Sequence, residues 1–204
     1  MPDTASQTIS AAEAHRQQQS AWIALATDGP LRARFVEDPA AALAAWRPGA
    51  DPLTALDPIA LERYAQSLIA KRAHELRRAI PMALRLAPDL IGWYRAWLWD
   101  HPAPPGDVIL APGVAEGIRA LPHLRDRLQA LIDVDGPVAP YAPDVLAFEL
   151  YRRASVEDGE IRTLRCRHRA DEIIRAMRRG TPLFDPAAEA VRFRFTRGGV
   201  QWRR

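Results

Sequence analysis

Apolar residues recur every three or four positions through most of residues 11–155, and this period predicts helices. The pattern predicts a first helix at 11–26, a second at 31–38 and a third at 39–46, after a polar and flexible N-terminus at 1–10. The first part of the chain is therefore expected to consist of short helices.

Longer helices are expected further along, at 57–80, 89–100, 112–133 and 144–154. Asp57 and Pro58 suit the cap and the first turn of a helix, and Pro81 should end that helix. The stretch 89–100 is apolar on nearly every side, so it should lie in the core. Pro122 should interrupt the helix that contains it.

The period changes to two after residue 159, which is typical of strands. Leu164 and Cys166 alternate with Arg165 and Arg167, so 160–168 is predicted to be a strand with an apolar face. A short helix is expected at 170–179, ended by Gly180, and a hairpin is expected at 191–204.

These patterns predict an α+β protein. An all-α helical domain at 11–155 would precede a small α+β domain at 159–204, which would contain an antiparallel sheet. A strand, a basic helix and a hairpin in this order are also the second half of a winged helix. The small domain is therefore expected to be winged-helix-like.

The hairpin carries the clearest candidate for a binding surface. With Gly198 and Gly199 as its two-residue turn, Phe195 would lie opposite Trp202 and Arg194 opposite Arg203. The alternation then gives an apolar face, made of Val191, Phe193, Phe195, Val200 and Trp202, and a basic face, made of Arg192, Arg194 and Arg203.

Opposed arginines repel each other by about 0.2–1 kcal/mol, and a bound anion removes this repulsion. The basic face is either a solvated surface or the binding site of an acidic peptide or a phosphate backbone. Under the peptide hypothesis the contacts would come from Arg192, Arg194, Arg203, Phe193 and Gln201, with further basic contacts from Arg165, Arg167 and Arg175. Under the DNA hypothesis the helix at 170–179 would carry Arg169, Arg175, Arg178 and Arg179 to the duplex, and the hairpin would be the wing.

The charge distribution supports a charged partner for the C-terminal part. Residues 151–204 contain 14 arginines and 7 acidic residues, a net charge of +7, whereas residues 1–150 have a net charge of −4. The total arginine content says less, because Lys71 is the only lysine and the chain is rich in alanine and proline, as GC-rich coding produces.

Catalytic and metal-binding patterns are missing from the sequence. The five histidines are dispersed, His168 and Asp171 are expected to form a pair at a helix start, and Cys166 is expected to be a buried structural thiol. No phosphate-binding loop, dinucleotide fingerprint or nucleophile elbow is present. We therefore predict a binding protein with no catalytic residue, no metal and no cofactor. No secretory signal or membrane-spanning run is visible, so the expected location is the cytoplasm.

A family resemblance gives this prediction more detail. Residues 64–102, with their apolar-proline step and the pair His101-Pro102, and residues 145–155 follow the pattern of a bacterial family usually described as DNA-binding. A Tyr-x-Pro-Asp motif, here Tyr141, Pro143 and Asp144, precedes a helix containing Glu149. The chain thus resembles the partner proteins that include HvfC and BufC.

Members of that family accompany multinuclear non-heme iron oxidative enzymes, which modify cysteine-bearing ribosomal peptides. The resemblance implies a non-catalytic protein that binds the precursor peptide and forms a heterodimer with the iron-dependent enzyme, without a metal of its own. The alternative is a winged-helix-like regulatory protein that binds DNA. A third possibility is a structural adaptor within a larger complex.

Overall fold

A computed structural model describes residues 9–102, 114–134, 136–181 and 188–203 of the chain. The helices are α1 (Ala11–Thr27), α2 (Gly29–Glu37), α3 (Pro39–Ala42), α4 (Pro58–Ala79), α5 (Pro81–Leu86), α6 (Leu90–Asp100), α7 (Val114–Asp133), α8 (Ala142–Glu157) and α9 (Ala170–Arg179). The strands are β1 (Arg162–Cys166), β2 (Val191–Thr196) and β3 (Gly199–Arg203). The predicted α+β class is confirmed. The predicted flexible N-terminus at 1–10 lies largely outside the described residues.

Local capping explains where the first helices begin. The side chain of Asp28 accepts a hydrogen bond of 2.9 Å from the amide of Leu31, at the start of α2. Asp38 does the same for Ala41 at the start of α3, at 3.0 Å. Each carboxylate satisfies an amide that has no partner inside its helix, and a proline occupies the first turn of both helices.

The chain forms two compact units, whose boundaries fall inside α4 and α6. One unit contains residues 1–71 and 98–110, and the other contains residues 72–97 and 111–204. The core of the first unit includes the buried side chains of Leu25, Leu31, Phe35, Leu43, Leu53 and Leu61. The change of sequence pattern near residue 159 falls within the second unit, since α8 and the sheet both belong to it.

Helix α8 lies in the core of the second unit. Every residue from position 142 to position 150 is buried, which explains why its pattern is more uniformly apolar than that of a surface helix. The Phe148 ring contacts the rings of Phe193 and Phe195 edge-on, with centroids 5.0 and 5.1 Å away. The apolar side of the sheet therefore packs on α8.

A charged network is also buried in the second unit. The Arg72 guanidinium binds both carboxylate oxygens of Glu116, and the Tyr94 hydroxyl donates a hydrogen bond of 2.9 Å to Glu116. Burial and the adjacent carboxylate raise the pKa of Tyr94 well above its usual range. These bonds connect α4, α6 and α7, so the charged groups at the centre of the unit are paired.

The interruption predicted at Pro122 is wrong, because α7 is continuous through it. Proline in a helix interior costs about 3 kcal/mol. The neighbouring side chains of Leu121, Leu124 and Leu128 are at least 95 % buried, and each buried leucine contributes about 1.5–3 kcal/mol. Packing along this face therefore offsets the local cost of the proline.

The sheet is antiparallel with the strand order β1-β2-β3. The predicted hairpin register is wrong by two positions. Thr196 pairs with Gly199, so the turn consists of Arg197 and Gly198, and Phe193 rather than Phe195 lies opposite Trp202. A shift of two positions leaves every side chain on its predicted face, because the period of a strand is two.

Candidate functional site

The solvent-facing side of the sheet carries a row of arginines, one from each strand. Arg165 of β1 pairs with Arg192 of β2, and Arg192 pairs in turn with Arg203 of β3. All three side chains are exposed. Since neighbouring strands lie about 4.8 Å apart, the three residues span roughly 10 Å across the sheet.

A second row continues the same surface. Arg194 of β2 lies between Thr163 of β1 and Gln201 of β3, and all three are exposed. Arg165, Arg192, Arg194 and Arg203 together are called the arginine face below. Among the described residues, none of these four guanidinium groups has a carboxylate within 4 Å. Their mutual repulsion is therefore uncompensated within the described part of the chain.

The outer edge of β3 has no partner strand among the described residues. A two-residue turn is closed by a hydrogen-bonded pair, here Thr196 and Gly199, and bonded and non-bonded pairs then alternate along an antiparallel ladder. The backbone groups of Val200 and Trp202 consequently point away from β2. Their two amides and two carbonyls form a template for a further strand.

A groove of about 390 Å³ runs beside this edge and is called the edge groove. Its lining combines apolar and charged side chains from α8, α9 and β3: Phe148, Arg152, Asp171, Ile174, Arg175, Arg178, Gly199, Val200 and Trp202. Phe148 and Ile174 are buried and form an apolar floor, whereas the arginines are exposed along the walls. The groove therefore suits side chains that are apolar or acidic.

Trp202 is held in place at this edge by Arg169. The guanidinium of Arg169 lies 3.7 Å from the centre of the indole ring, and both of its hydrogen bonds to Asp171 are 3.0 Å long. The bond to Asp171 also raises the pKa of Arg169. Trp202 remains 42 % exposed, so one part of a fixed aromatic side chain is available for contact.

The structure brings together most of the predicted site residues. Arg192, Arg194, Arg203, Gln201 and Arg165 share one surface. Arg167 is exposed beyond the end of β1.

The prediction for Phe193 is wrong, because its side chain is fully buried against α8 on the opposite side of the sheet. Arg175 belongs to the edge groove and not to the arginine face. Sequence reasoning placed Trp202 on the apolar face, and the structure adds that it lies on the edge strand and is partly exposed.

The residues of the Tyr-x-Pro-Asp motif have structural roles. One oxygen of Asp144 accepts three hydrogen bonds of 2.9 Å, from the amides of Arg167 and His168 and from the His168 ring. The predicted pairing of His168 with Asp171 is therefore wrong, since Asp171 binds Arg169. Asp144 thus fixes the connection between β1 and α9, which form two sides of the candidate site.

Glu149 has a comparable role at α5. Its carboxylate accepts hydrogen bonds from the amides of Met82 and Ala83, at 3.1 and 2.9 Å, and so caps the first turn of that helix. Burial raises the pKa of Glu149 in spite of these bonds.

Cys166 is buried, and burial raises the pKa of its thiol far above the usual range, so it is a structural thiol as predicted. Within the described ranges, no three His, Cys, Asp or Glu side chains come together as a metal site. The same ranges contain no helix with the length and apolar character needed to cross a bilayer.

No protein-family model, curated protein or solved structure matches this chain.

Proposed function

We propose that this chain is a non-catalytic partner protein that binds an acidic ribosomal precursor peptide as an added strand on β3. It would present the peptide to a multinuclear non-heme iron oxidative enzyme, with which it forms a heterodimer. The observation that carries the peptide half of this proposal is the outer edge of β3, which has no partner strand in the described part of the chain and lies between the arginine face and the edge groove. The enzyme half rests on the family resemblance of residues 57–155.

The first contribution to peptide binding by strand addition comes from backbone hydrogen bonds. The outward amides and carbonyls of Val200 and Trp202 offer four hydrogen bonds, each with a net value of about 0.5–1.5 kcal/mol. Their sum, about 2–6 kcal/mol, is below the roughly 8 kcal/mol of a micromolar complex. Side-chain contacts are therefore needed for capture, and these contacts give the complex its specificity.

The side chains of an added strand would alternate between the two sides of the sheet. On one side they would lie next to Gln201 and Arg203, within reach of the arginine face. On the other side they would enter the edge groove above Phe148 and Ile174. A peptide that alternates acidic and apolar residues matches both surfaces, and its charges would relieve the repulsion in the arginine row.

The proposal places the protein in the cytoplasm, where ribosomal peptides are made. The enzyme would supply the iron and the oxidative chemistry, while this chain binds and positions the peptide. Co-purification tests this part. The tagged chain is expressed with its genomic neighbours, and an iron-bearing protein is expected to be recovered in about equimolar amount together with a small peptide. Recovery of the chain alone under these conditions would contradict the partner role.

Peptide capture is tested by fluorescence anisotropy with a labelled peptide of alternating glutamate and valine. Arg194→Glu should weaken binding by tenfold or more, because it replaces attraction by repulsion next to the added strand, while the circular dichroism spectrum stays unchanged. Arg127→Glu, an identical charge change at an exposed position of α7, is the matched control. Equal affinity of the two variants would refute the assignment of the site.

DNA binding is the competing outcome. Four phosphate contacts through the arginine face would give a slope of about −3.6 for the logarithm of affinity against the logarithm of salt concentration. In a winged-helix contact the recognition helix and the hairpin would both touch the duplex. Here α9 borders the edge groove, whereas the arginine face of the hairpin lies on the other side of the sheet. A labelled duplex bound with that slope, and more tightly than the peptide, would favour the DNA-binding function.

A further inference from the structure

A second cleft, of about 330 Å³, opens between α4, α8 and α9 and is called the arginine cleft. Its lining consists of Arg78, Ala79, Pro81, Phe148, Glu149, Arg152, Arg153, Val156, Ile174 and Arg178. Four of these residues, Phe148, Arg152, Ile174 and Arg178, also line the edge groove. The two depressions therefore adjoin.

The arginine cleft has positive charge that the described residues do not neutralise. Arg153 binds Glu157 at 2.6 Å, and Arg78 lies 3.9 Å from Glu75. Arg152 and Arg178, in contrast, have no carboxylate within 4 Å in the described part of the chain. Both are exposed, and they stand where the two depressions meet.

The one carboxylate in the lining does not offset these two arginines. Glu149 is 7 % exposed and accepts the amide hydrogen bonds of Met82 and Ala83, so its oxygens are already bonded. Burial raises the pKa of Glu149, and the nearby charges of Arg178 and Arg152 lower it in part. An incoming carboxylate would contact the guanidinium groups of Arg152 and Arg178, next to the exposed apolar side chain of Val156.

We propose that the arginine cleft binds one or more acidic side chains of the same peptide, outside the segment that pairs with β3. This inference rests on the proposed function. The peptide would be recognised in two parts, by strand addition at the edge groove and by carboxylates between Arg152 and Arg178.

A peptide ligand fits this cleft better than a nucleic acid does. A space of about 330 Å³ holds one or two side chains, which suits the carboxylates of a flexible peptide. The arginine cleft is lined by helices on the apolar side of the sheet, whereas the arginine face is on its solvent-facing side.

The experiment compares three fluorescein-labelled peptides by anisotropy at 50 mM salt. The core peptide has five alternating glutamate and valine residues, and the other two carry three additional aspartates at the N-terminus or at the C-terminus. For the wild-type chain, one extended peptide is expected to bind on the order of tenfold more tightly than the core peptide, the gain from about 1.4 kcal/mol of charge pairing.

The variant Arg152→Gln/Arg178→Gln should abolish this gain. The ratio of core to extended dissociation constants is the readout, because effects of the substitutions on the edge groove cancel in it. Arg127→Gln, at an exposed position of α7, should keep the full ratio and serves as the control. Circular dichroism spectra of both variants confirm that the fold is retained.

Each of the remaining outcomes would refute the arginine cleft as a peptide site, the proposed function, or both. Equal affinity of the core and extended peptides for the wild-type chain would refute the arginine cleft and leave the proposed function standing. A gain that persists in the double variant would place the aspartates elsewhere and also refute it. Failure of all three peptides to bind would refute the proposed function together with this inference. A labelled DNA duplex that binds more tightly than every peptide and loses affinity in the double variant would assign the cleft to phosphate.

Discussion

Replacing Asp144 with alanine should strongly destabilise the second unit. One carboxylate oxygen accepts three hydrogen bonds of 2.9 Å, two from backbone amides and one from the ring of His168. Asp144 is 4 % exposed and His168 is 8 % exposed, so water does not replace these bonds without rearrangement.

The magnitude follows from the number and type of these bonds. A hydrogen bond to a charged group contributes about 1.5–3 kcal/mol, and three such bonds would give 4.5–9 kcal/mol if they were independent. They share one oxygen and act as a unit, so we expect a loss of about 3–5 kcal/mol for Asp144→Ala. Asp144→Asn keeps an acceptor at the same place without the charge, and it should lose about half as much.

Urea unfolding, followed by circular dichroism and tryptophan fluorescence, measures these losses. Asp126→Ala, which removes an exposed carboxylate from α7, is the matched control and should change the free energy of unfolding by less than 0.5 kcal/mol, as exposed surface positions typically do. The reasoning is refuted if Asp144→Ala is as stable as this control, or if the asparagine variant is no more stable than the alanine variant.

Three further predictions concern the arginine face and two buried groups. Arg192→Glu should raise the free energy of unfolding by about 0.4–2 kcal/mol, because its two repulsive cross-strand pairs, with Arg165 and Arg203, become attractive. The same variant should no longer capture the acidic peptide. A lower free energy of unfolding in a urea titration would contradict this prediction. Burial raises the pKa of Glu149, so its contribution to stability is present at low pH and is lost as the pH rises above the usual value of 4.5. Unfolding titrations should therefore show Glu149→Gln gaining stability relative to the wild type from pH 4.5 upward, and a constant difference would be the contrary result. The buried Cys166 thiol should resist a thiol reagent in the native state and react at once in urea, and the comparison fails if both rates are equal.

The helices could be predicted from local signals. The carboxylates of Asp28 and Asp38 cap the helices that follow them in sequence, and Gly180 has the left-handed φ of +67° that ends α9. The two faces of the sheet were also predictable, since the alternation along β2 depends only on the period of the strand. Each of these features is determined by residues a few positions apart.

Other features required contacts between distant parts of the chain. The turn at Arg197 and Gly198 differs from the one that the local pattern predicted, and the burial of Phe193 depends on its packing against Phe148 of α8. The continuity of α7 through Pro122 likewise depends on burial of the leucines around it. A local rule predicts the cost of the proline but not the packing that offsets it.

The sequence by itself determined the α+β class, most helix starts and the basic character of one face of the sheet, because these follow from short-range periodicity and capping. The tertiary structure decided the partners of Asp144 and Glu149, which lie 24 and 66 residues away in the chain. It also decided that the edge of β3 lies beside α9, which forms the edge groove. Such contacts follow from burial of the whole core, and neither the spacing nor the composition of any one segment specifies them.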